Sequence, residues 1–411
     1  MNPGFKILLS AVILSFLNNS VSECQQIQVS YDKPVLKDTG WEIENSVSLY
    51  IPKATYDAVK DTSTGKFSFK VYDLIINGDT INPEGVETRG KSSLLFRRKS
   101  FTFRLSSKAS FHHGERTASF KKFFALSLSM DRNYSNNHLA FEIMEAARLF
   151  DLFYAFCVLS INDQCEGIYM IVERPEDWAT KKESSPLFIR RGYDHRIDKL
   201  EVTKETGIEE VKKYRNYYNQ IYRSLNRYEG EELYTVLAGW LDMDIYMKWL
   251  AFNFLVRNSD YTDEVYFYID PVIDKFKIIP WDYDDIFSSA PHEGIDGSKR
   301  ILGDKMIFSA EVKLDRKIAT DAYLYKVYLE KFRELLNLLS PSVLKRVFED
   351  TYAELYPYYS DKEVIGMSRY DLYRNRDLAI LQKEMYILYD KLRSARDFCL
   401  DYLKTVNQDG K

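Results

Sequence analysis

The stretch from Asp244 to Phe287 constrains the chain more than any other. Ile245, Trp249, Phe252 and Val256 recur at spacings of three and four, which predicts a helix with one buried face. Asp244 is placed to cap it by accepting free N–H groups of the first turn. Arg257 and Asn258 end the helix, and Asn258-Ser259-Asp260 follows. An aromatic strand (Val265 to Ile269), a turn at Asp270-Pro271 and a second strand (Phe276 to Ile279) then lead into Pro280-Trp281-Asp282-Tyr283-Asp284-Asp285. One carboxylate thus stands at a helix end and several stand at a strand end. The hairpin between them can fold the two groups back toward each other.

Phosphoryl transfer needs such a pairing. One carboxylate orients the attacking hydroxyl, and another holds the metal that bridges the phosphates. A solvated acidic turn is the competing reading, because clustered carboxylates mark a site only statistically. Together, Asn258-Ser259-Asp260, the aromatic strand and Pro280-Trp281-Asp282-Tyr283-Asp284 resemble the core signature of the CotH-like family (spore coat protein H), atypical secreted protein kinases.

At 411 residues the chain exceeds an ordinary single domain, so two lobes or a core with a helical appendage are expected. A hydrophobic content of 45% is ample for a core, and a net charge of −4 argues against a nucleic-acid surface. Residues 1–22 read as a secretory signal peptide: Lys6 supplies the positive start, Ile7 to Leu17 the apolar run, and Ser20-Val21-Ser22 the cleavage site. Cleavage after Ser22 is favoured over lipoprotein processing at Cys24, since Glu23 is a poor residue before a lipidated cysteine. The expected product is secreted or held at the cell surface, monomeric and without an integral membrane segment. Cys24, Cys157, Cys165 and Cys399 form neither a disulfide framework nor a metal-binding spacing. Centring a hairpin on Asn162-Asp163 sets Cys157 opposite Ile168, so no Cys157–Cys165 bridge is expected. His112-His113 show no set of metal ligands at helical spacing and read as loop residues.

From Ile43 to Leu105 the pattern alternates as strands do, with turns at Gly65, Asn77-Gly78 and Gly90. A short strand and then a helix follow, capped by Asn136 or Asn137, with Leu139, Ile143, Ala146 and Phe150 as its apolar stripe. A hairpin pairs Tyr154–Ile161 with Gly167–Glu173. Residues 174–240 read as charged and irregular and then helical (Glu209 to Leu225, Glu231 to Trp240). The tail from Leu324 to Leu403 is almost wholly helical. These patterns define an α+β fold. The resemblance implies a two-lobed, atypical protein-kinase-like arrangement over 43–403, with a β-rich N-lobe (43–173) and a mainly helical C-lobe (174–403).

Arg89-Gly90-Lys91-Ser92-Ser93 and the strand led by Lys99 are similar to the family pattern in which a strand lysine reaches the nucleotide phosphates. Lys99 takes that role by resemblance, with Arg89 beside the nucleotide and Arg97 and Arg98 as competitors. A basic edge strand that resists aggregation is the alternative. Kinases hold this lysine with a glutamate on the next helix, which selects Glu142; Glu173 falls at the hinge facing the adenine. The resemblance makes Asp260 the group that orients the acceptor hydroxyl, and Asp282, helped by Asp284, the holder of Mg²⁺ or Mn²⁺. Kinase loops carry an asparagine five residues beyond the catalytic aspartate. Here that position is Val265, and Glu264 is the nearest substitute oxygen ligand. The implied activity is transfer of the γ-phosphoryl group of ATP to Ser or Thr of an extracytoplasmic protein. The alternatives are a catalytically inactive nucleotide- or carbohydrate-binding surface module and a metal-dependent hydrolase.

Overall fold

Alternation between Ile43 and Leu105 does produce strands, and they run further than the pattern suggests. A computed structural model of the chain describes residues 33–38, 40–192, 195–291, 305–309 and 311–408. The expected signal peptide, its cleavage site and Cys24 lie outside the described residues. The first half contains β1 (Ser46–Tyr50), α1 (Lys53–Lys60), β2 (Ser68–Phe69), β3 (Asp73–Ile76), β4 (Asp79–Thr80), β5 (Pro83–Arg89), β6 (Ser100–His113), β7 (Arg116–Leu126), α2 (Asn136–Ala146), β8 (Tyr154–Ile161) and β9 (Gln164–Glu173). Its strands form one sheet in the order β2-β5-β6-β7-β9-β8-β1-β3-β4. Every pair is antiparallel except β1 with β8.

The long β6–β7 hairpin explains one correction. Phe101, Phe103, Leu105, Ala109 and Phe111 are all buried on one side of β6, with a register shift between Arg104 and Ala109. Phe123 receives Phe103 in a stack at 4.7 Å and Phe111 edge-on at 4.9 Å. This packing carries the strand through His112-His113, expected as a loop, to a turn at Gly114, whose φ of 57° suits glycine. In the β8–β9 hairpin a register shift after Leu159 sets Cys157 opposite Tyr169 rather than Ile168. Cys157, Cys165 and Cys399 are free thiols.

The second half adds β10 (Leu187–Arg191), β11 (Ile197–Val202), α3 (Ile208–Ser224), α4 (Gly230–Trp240), α5 (Met243–Val256), β12 (Val265–Asp270), β13 (Lys275–Pro280), α6 (Lys313–Thr320), α7 (Ala322–Leu338), α8 (Pro341–Ser360), α9 (Lys362–Gly366) and α10 (Leu378–Gln408). The fold is α+β, strand-rich first and mainly helical after. A four-stranded antiparallel sheet, β11-β10-β12-β13, stands within the helical half. Its β10 and β11 occupy part of the stretch expected to be irregular. The large sheet buries its outer face over Val59 of α1. Its other face, through Phe124, Tyr154, Phe156, Met170 and Val172, shares one continuous core with the helices and the smaller sheet.

Arg98, fully buried, pins the two halves together. It donates to the Asp371 carboxylate beyond α9, to the Tyr134 hydroxyl at 3.3 Å, and to the carbonyls of Glu166 (2.6 Å) and Ile168. Breaking a buried ion pair by removing one partner costs about 3–5 kcal/mol, because the other charge stays buried. Arg98→Met is therefore expected to lower the urea midpoint strongly, and an unchanged midpoint would contradict this role.

Candidate functional site

Residues 258–287 fold back onto the end of α5, and this brings the carboxylates together. The cap of α5 is Asp242 rather than Asp244: its side chain accepts from Ile245 N at 3.2 Å. Asp244 lies in the first turn and pairs with Lys248 (2.8 Å) and Lys331 (2.7 Å). The helix ends as Arg257 turns left-handed, φ 53°, and Arg257 Nε donates to Ser288 O at 2.6 Å. Asn258 and Ser259 are fully buried. Asn258 Oδ1 accepts from Asp260 N at 3.1 Å, a turn that holds the half-buried Asp260 beyond the helix end. In the β12–β13 hairpin Val265 pairs with Pro280. That register sets Glu264, just before β12, beside Trp281 and Asp282, just after β13. The acidic loop is tied down by Ser259 N on Asp285 O (3.2 Å), Phe287 N on Val256 O (2.7 Å) and the Ser259 hydroxyl on the Asp285 carboxylate. Asp282 itself is left-handed, φ 57°, a conformation Asp and Asn tolerate better than other side chains.

The first half contributes from α2. Neither Asn136 nor Asn137 caps this helix; the Asp131 carboxylate does, accepting from Asn136 N and Asn137 N (2.9 Å each) and from Asn137 Nδ2 (3.1 Å). The two asparagines are thereby free to grip the acidic loop. Asn137 Oδ1 accepts from Tyr283 N at 2.9 Å, and Asn136 Nδ2 donates to Asp284 O at 2.8 Å.

Burial and mutual repulsion raise every carboxyl of the resulting cluster for which a direction is resolved. Asp282 is pushed up to about 6 by burial and by the Asp260 charge, against the pull of Arg89 and Arg190. Glu264 is pushed up to about 8 by burial and by Asp282, although Arg190 Nη2 lies 2.6 Å from its Oε1. Asp131 rises to about 7, chiefly by burial, despite its N–H bonds. Asp284 lies well above the usual carboxylate range through burial, then Asp282 and Asp131. Arg89, at the end of β5, stacks over the Phe124 ring at 3.7 Å and faces Trp281 at 5.9 Å. Burial lowers its pKa, and Tyr266, Asp282, Glu176 and Glu264 oppose that. Arg89 and Arg190 act on Asp282 and Glu264, and the repulsion among the neighbouring carboxyls is the kind that a hard divalent cation would neutralise. An all-oxygen donor set suits Mg²⁺ or Mn²⁺.

The structure thus brings together Asp260, Glu264, Asp282, Asp284 and Arg89. It does not bring Lys99, Glu142 or Glu173 to them. Arg89 pairs with Ser100 across β5 and β6, so those two share a face. Lys99, one residue earlier, falls on the other face. Its ammonium donates to Leu94 O, and its charged neighbours are Asp61 and Lys60. Glu142 accepts from the Tyr154 hydroxyl at 2.5 Å and lies 3.6 Å from His113. Glu173 ends β9, and the charges around it are Lys182, Asp177 and Asp151. Two residues of the cluster were not anticipated from sequence. Asp131 is separated from its helix by the short turn Arg132–Tyr134, beyond ordinary capping distance. Arg190 lies on the unexpected β10.

A buried cluster of carboxylates with two guanidinium groups beside it belongs to the class that can hold metal-bound phosphate. The family model described as CotH kinase protein matches residues 86–369, and the chain belongs to that family, whose description suggests an atypical, kinase-like function. Among solved structures, the HipA–HipB toxin–antitoxin complex of Shewanella oneidensis MR-1 with its operator DNA matches at 10% identity with a TM-score of 0.29. That match covers 72% of this chain and 66% of the other. No curated protein matches the sequence.

Proposed function

We propose that the chain is a kinase that transfers the γ-phosphoryl group of ATP to a Ser or Thr hydroxyl of an extracytoplasmic protein. The observation that carries this reading is the cluster of Asp131, Asp260, Glu264, Asp282 and Asp284, with Arg89 and Arg190 acting on Asp282 and Glu264, in a chain of a kinase family. Asp282, Asp284 and Glu264 would hold Mg²⁺ or Mn²⁺, which when bound neutralises phosphate charge. Asp260 orients the acceptor hydroxyl and takes its proton as the oxygen attacks phosphorus and the bond to ADP breaks. Arg89 and Arg190 hold phosphate oxygens, a task guanidinium performs in bidentate fashion. Asp131 supports the site by fixing α2, whose asparagines hold the acidic loop. The chain's first 22 residues support an extracytoplasmic destination, and among the described residues no helix is long and apolar enough to cross a membrane.

The phosphate role expected of Lys99 passes in this reading to Arg89. Losing a hydrogen bond to a charged group costs about 1.5–3 kcal/mol, roughly ten- to a hundredfold in affinity. Arg89→Met is expected to weaken ATP binding by that factor in calorimetry, while Lys99→Met leaves it within about twofold. The reverse result would return the role to Lys99. The activity itself is tested with γ-phosphate-labelled ATP, a generic protein acceptor and each divalent metal. Valine at position 265, where kinases carry a metal-binding asparagine, favours the second reading of an inactive nucleotide- or carbohydrate-binding module. ATP binding without labelling would select that one.

A further inference from the structure

Two imidazoles and two carboxylates that the kinase reading does not use converge where the end of β6 meets α2 and α8. His138 and Glu142 lie four apart on α2 and so share a helix face. Glu354 reaches them from α8, and His113 is the last residue of β6. His113 Nε2 lies 3.0 Å from Glu354 Oε1 and 3.6 Å from Glu142 Oε1, and His138 Nε2 lies 2.8 Å from Glu354 Oε2. One nitrogen or oxygen from each of the four residues falls within 4.8 Å of all the others. Tetrahedral zinc, with bonds of about 2.0–2.2 Å, places its ligands about 3.3–3.6 Å apart, so this set needs only a small adjustment. His113, His138 and Glu354 are buried, and Glu142 is half-buried.

The surroundings orient these groups as metal ligands are usually oriented. His138 Nδ1 is 3.0 Å from the Thr351 hydroxyl, and the Tyr154 hydroxyl donates to Glu142 at 2.5 Å. The His138 ring stacks on Phe156 at 4.8 Å, and His113 packs against Tyr154 at 4.8 Å. A pocket of about 20 Å³, lined by Asn45, His113, Glu354 and Tyr358 among others, adjoins the cluster. Mixed imidazole and carboxylate donors suit zinc, whereas the all-oxygen cluster suits magnesium.

We propose that His113, His138, Glu142 and Glu354 bind a divalent transition-metal cation, zinc foremost, in a site separate from the carboxylate cluster. The ion there cross-links the β6–β7 hairpin, α2 and α8. In its absence His113 Nε2 and His138 Nε2 lie within hydrogen-bond distance of the Glu354 carboxylate.

The test is equilibrium dialysis of the full chain against zinc chloride in excess Mg²⁺, with metal counted by mass spectrometry. One zinc per chain is expected, in the wild type and equally in Asp282→Asn. Glu142→Gln and His113→Gln, with wild-type far-UV circular dichroism, are expected to bind zinc at least about tenfold more weakly, the lower end of what even an outer-shell change costs. Cobalt(II) in place of zinc should give the visible absorption of a four-coordinate site in the wild type and lose it in both variants. Absence of bound zinc in the wild type, loss of zinc in Asp282→Asn, or unchanged zinc affinity in Glu142→Gln and His113→Gln would each overturn the proposal.

Discussion

Asp260→Asn is expected to bind ATP and divalent metal almost as the wild type does, and to label protein roughly a hundred- to ten-thousandfold more slowly. The split follows from where Asp260 sits. It is half-buried beyond the end of α5, in a turn closed by its own N–H on Asn258 Oδ1 at 3.1 Å. That bond is made by the backbone, so the substitution leaves it in place. Asparagine keeps the size of the side chain and removes the charge that receives the hydroxyl proton. An acceptor hydroxyl meets this group only with both substrates bound, so the interaction is made mostly on the way to the transition state. Calorimetry beside the labelling assay measures both halves of the claim. Full activity in Asp260→Asn would remove the kinase assignment, and parallel loss of ATP affinity and rate would make Asp260 a binding residue instead.

What the sequence made legible follows from how far each signal extends. The helix–hairpin–acidic loop unit could be read because α5, β12 and β13 are adjacent in the chain and each carries its own pattern. Its ends therefore place Asp260, Glu264 and Asp282 without long-range information. Strand alternation also allowed Arg89 and Lys99 to be told apart, but only once the register was known. Arg89 opposite Ser100 settles which face each residue takes, and pairing between strands is not written in either strand alone. Arg190 is not legible in the sequence because β10 offers three apolar residues and two arginines, a pattern that becomes a strand only when β11 and β12 flank it. Asp131 escaped because the short turn Arg132–Tyr134 pushes the capping carboxylate beyond its ordinary distance. His113 reads as a loop residue in the sequence because its carboxylate partner, Glu354, stands 241 residues away in the chain.

Asp282→Asn is expected to lose the metal-dependent stabilisation by ATP, and also to flatten the pH dependence of the metal-free protein. The first effect follows from losing an oxygen ligand, the second from removing a carboxyl that burial, and then its charged neighbours, hold in the neutral form. Asp282, Asp131 and Glu264 are pushed up to about 6, 7 and 8, above the range of about 4 that carboxyl groups have in an unfolded chain. A carboxyl raised on folding contributes stability that is complete below its unfolded pKa and is lost as pH rises through its folded one. Between about pH 5 and pH 8, then, the metal-free cluster charges up and destabilises the fold, and Mg²⁺ should restore what was lost. ATP with Mg²⁺ at about a hundred times its dissociation constant adds roughly 2.7 kcal/mol. Asparagine is the informative replacement because Asp282 has a φ of 57°, and Asn adopts that conformation with little strain whereas Ala does not. Thermal melts at pH 5 and 8, with and without Mg²⁺ and ATP, should show a wild type whose metal-free stability falls with pH and recovers with metal. Asp282→Asn should show a smaller fall and no recovery. A variant that still gains the full metal-dependent shift from ATP would place the cation on other carboxylates of the cluster.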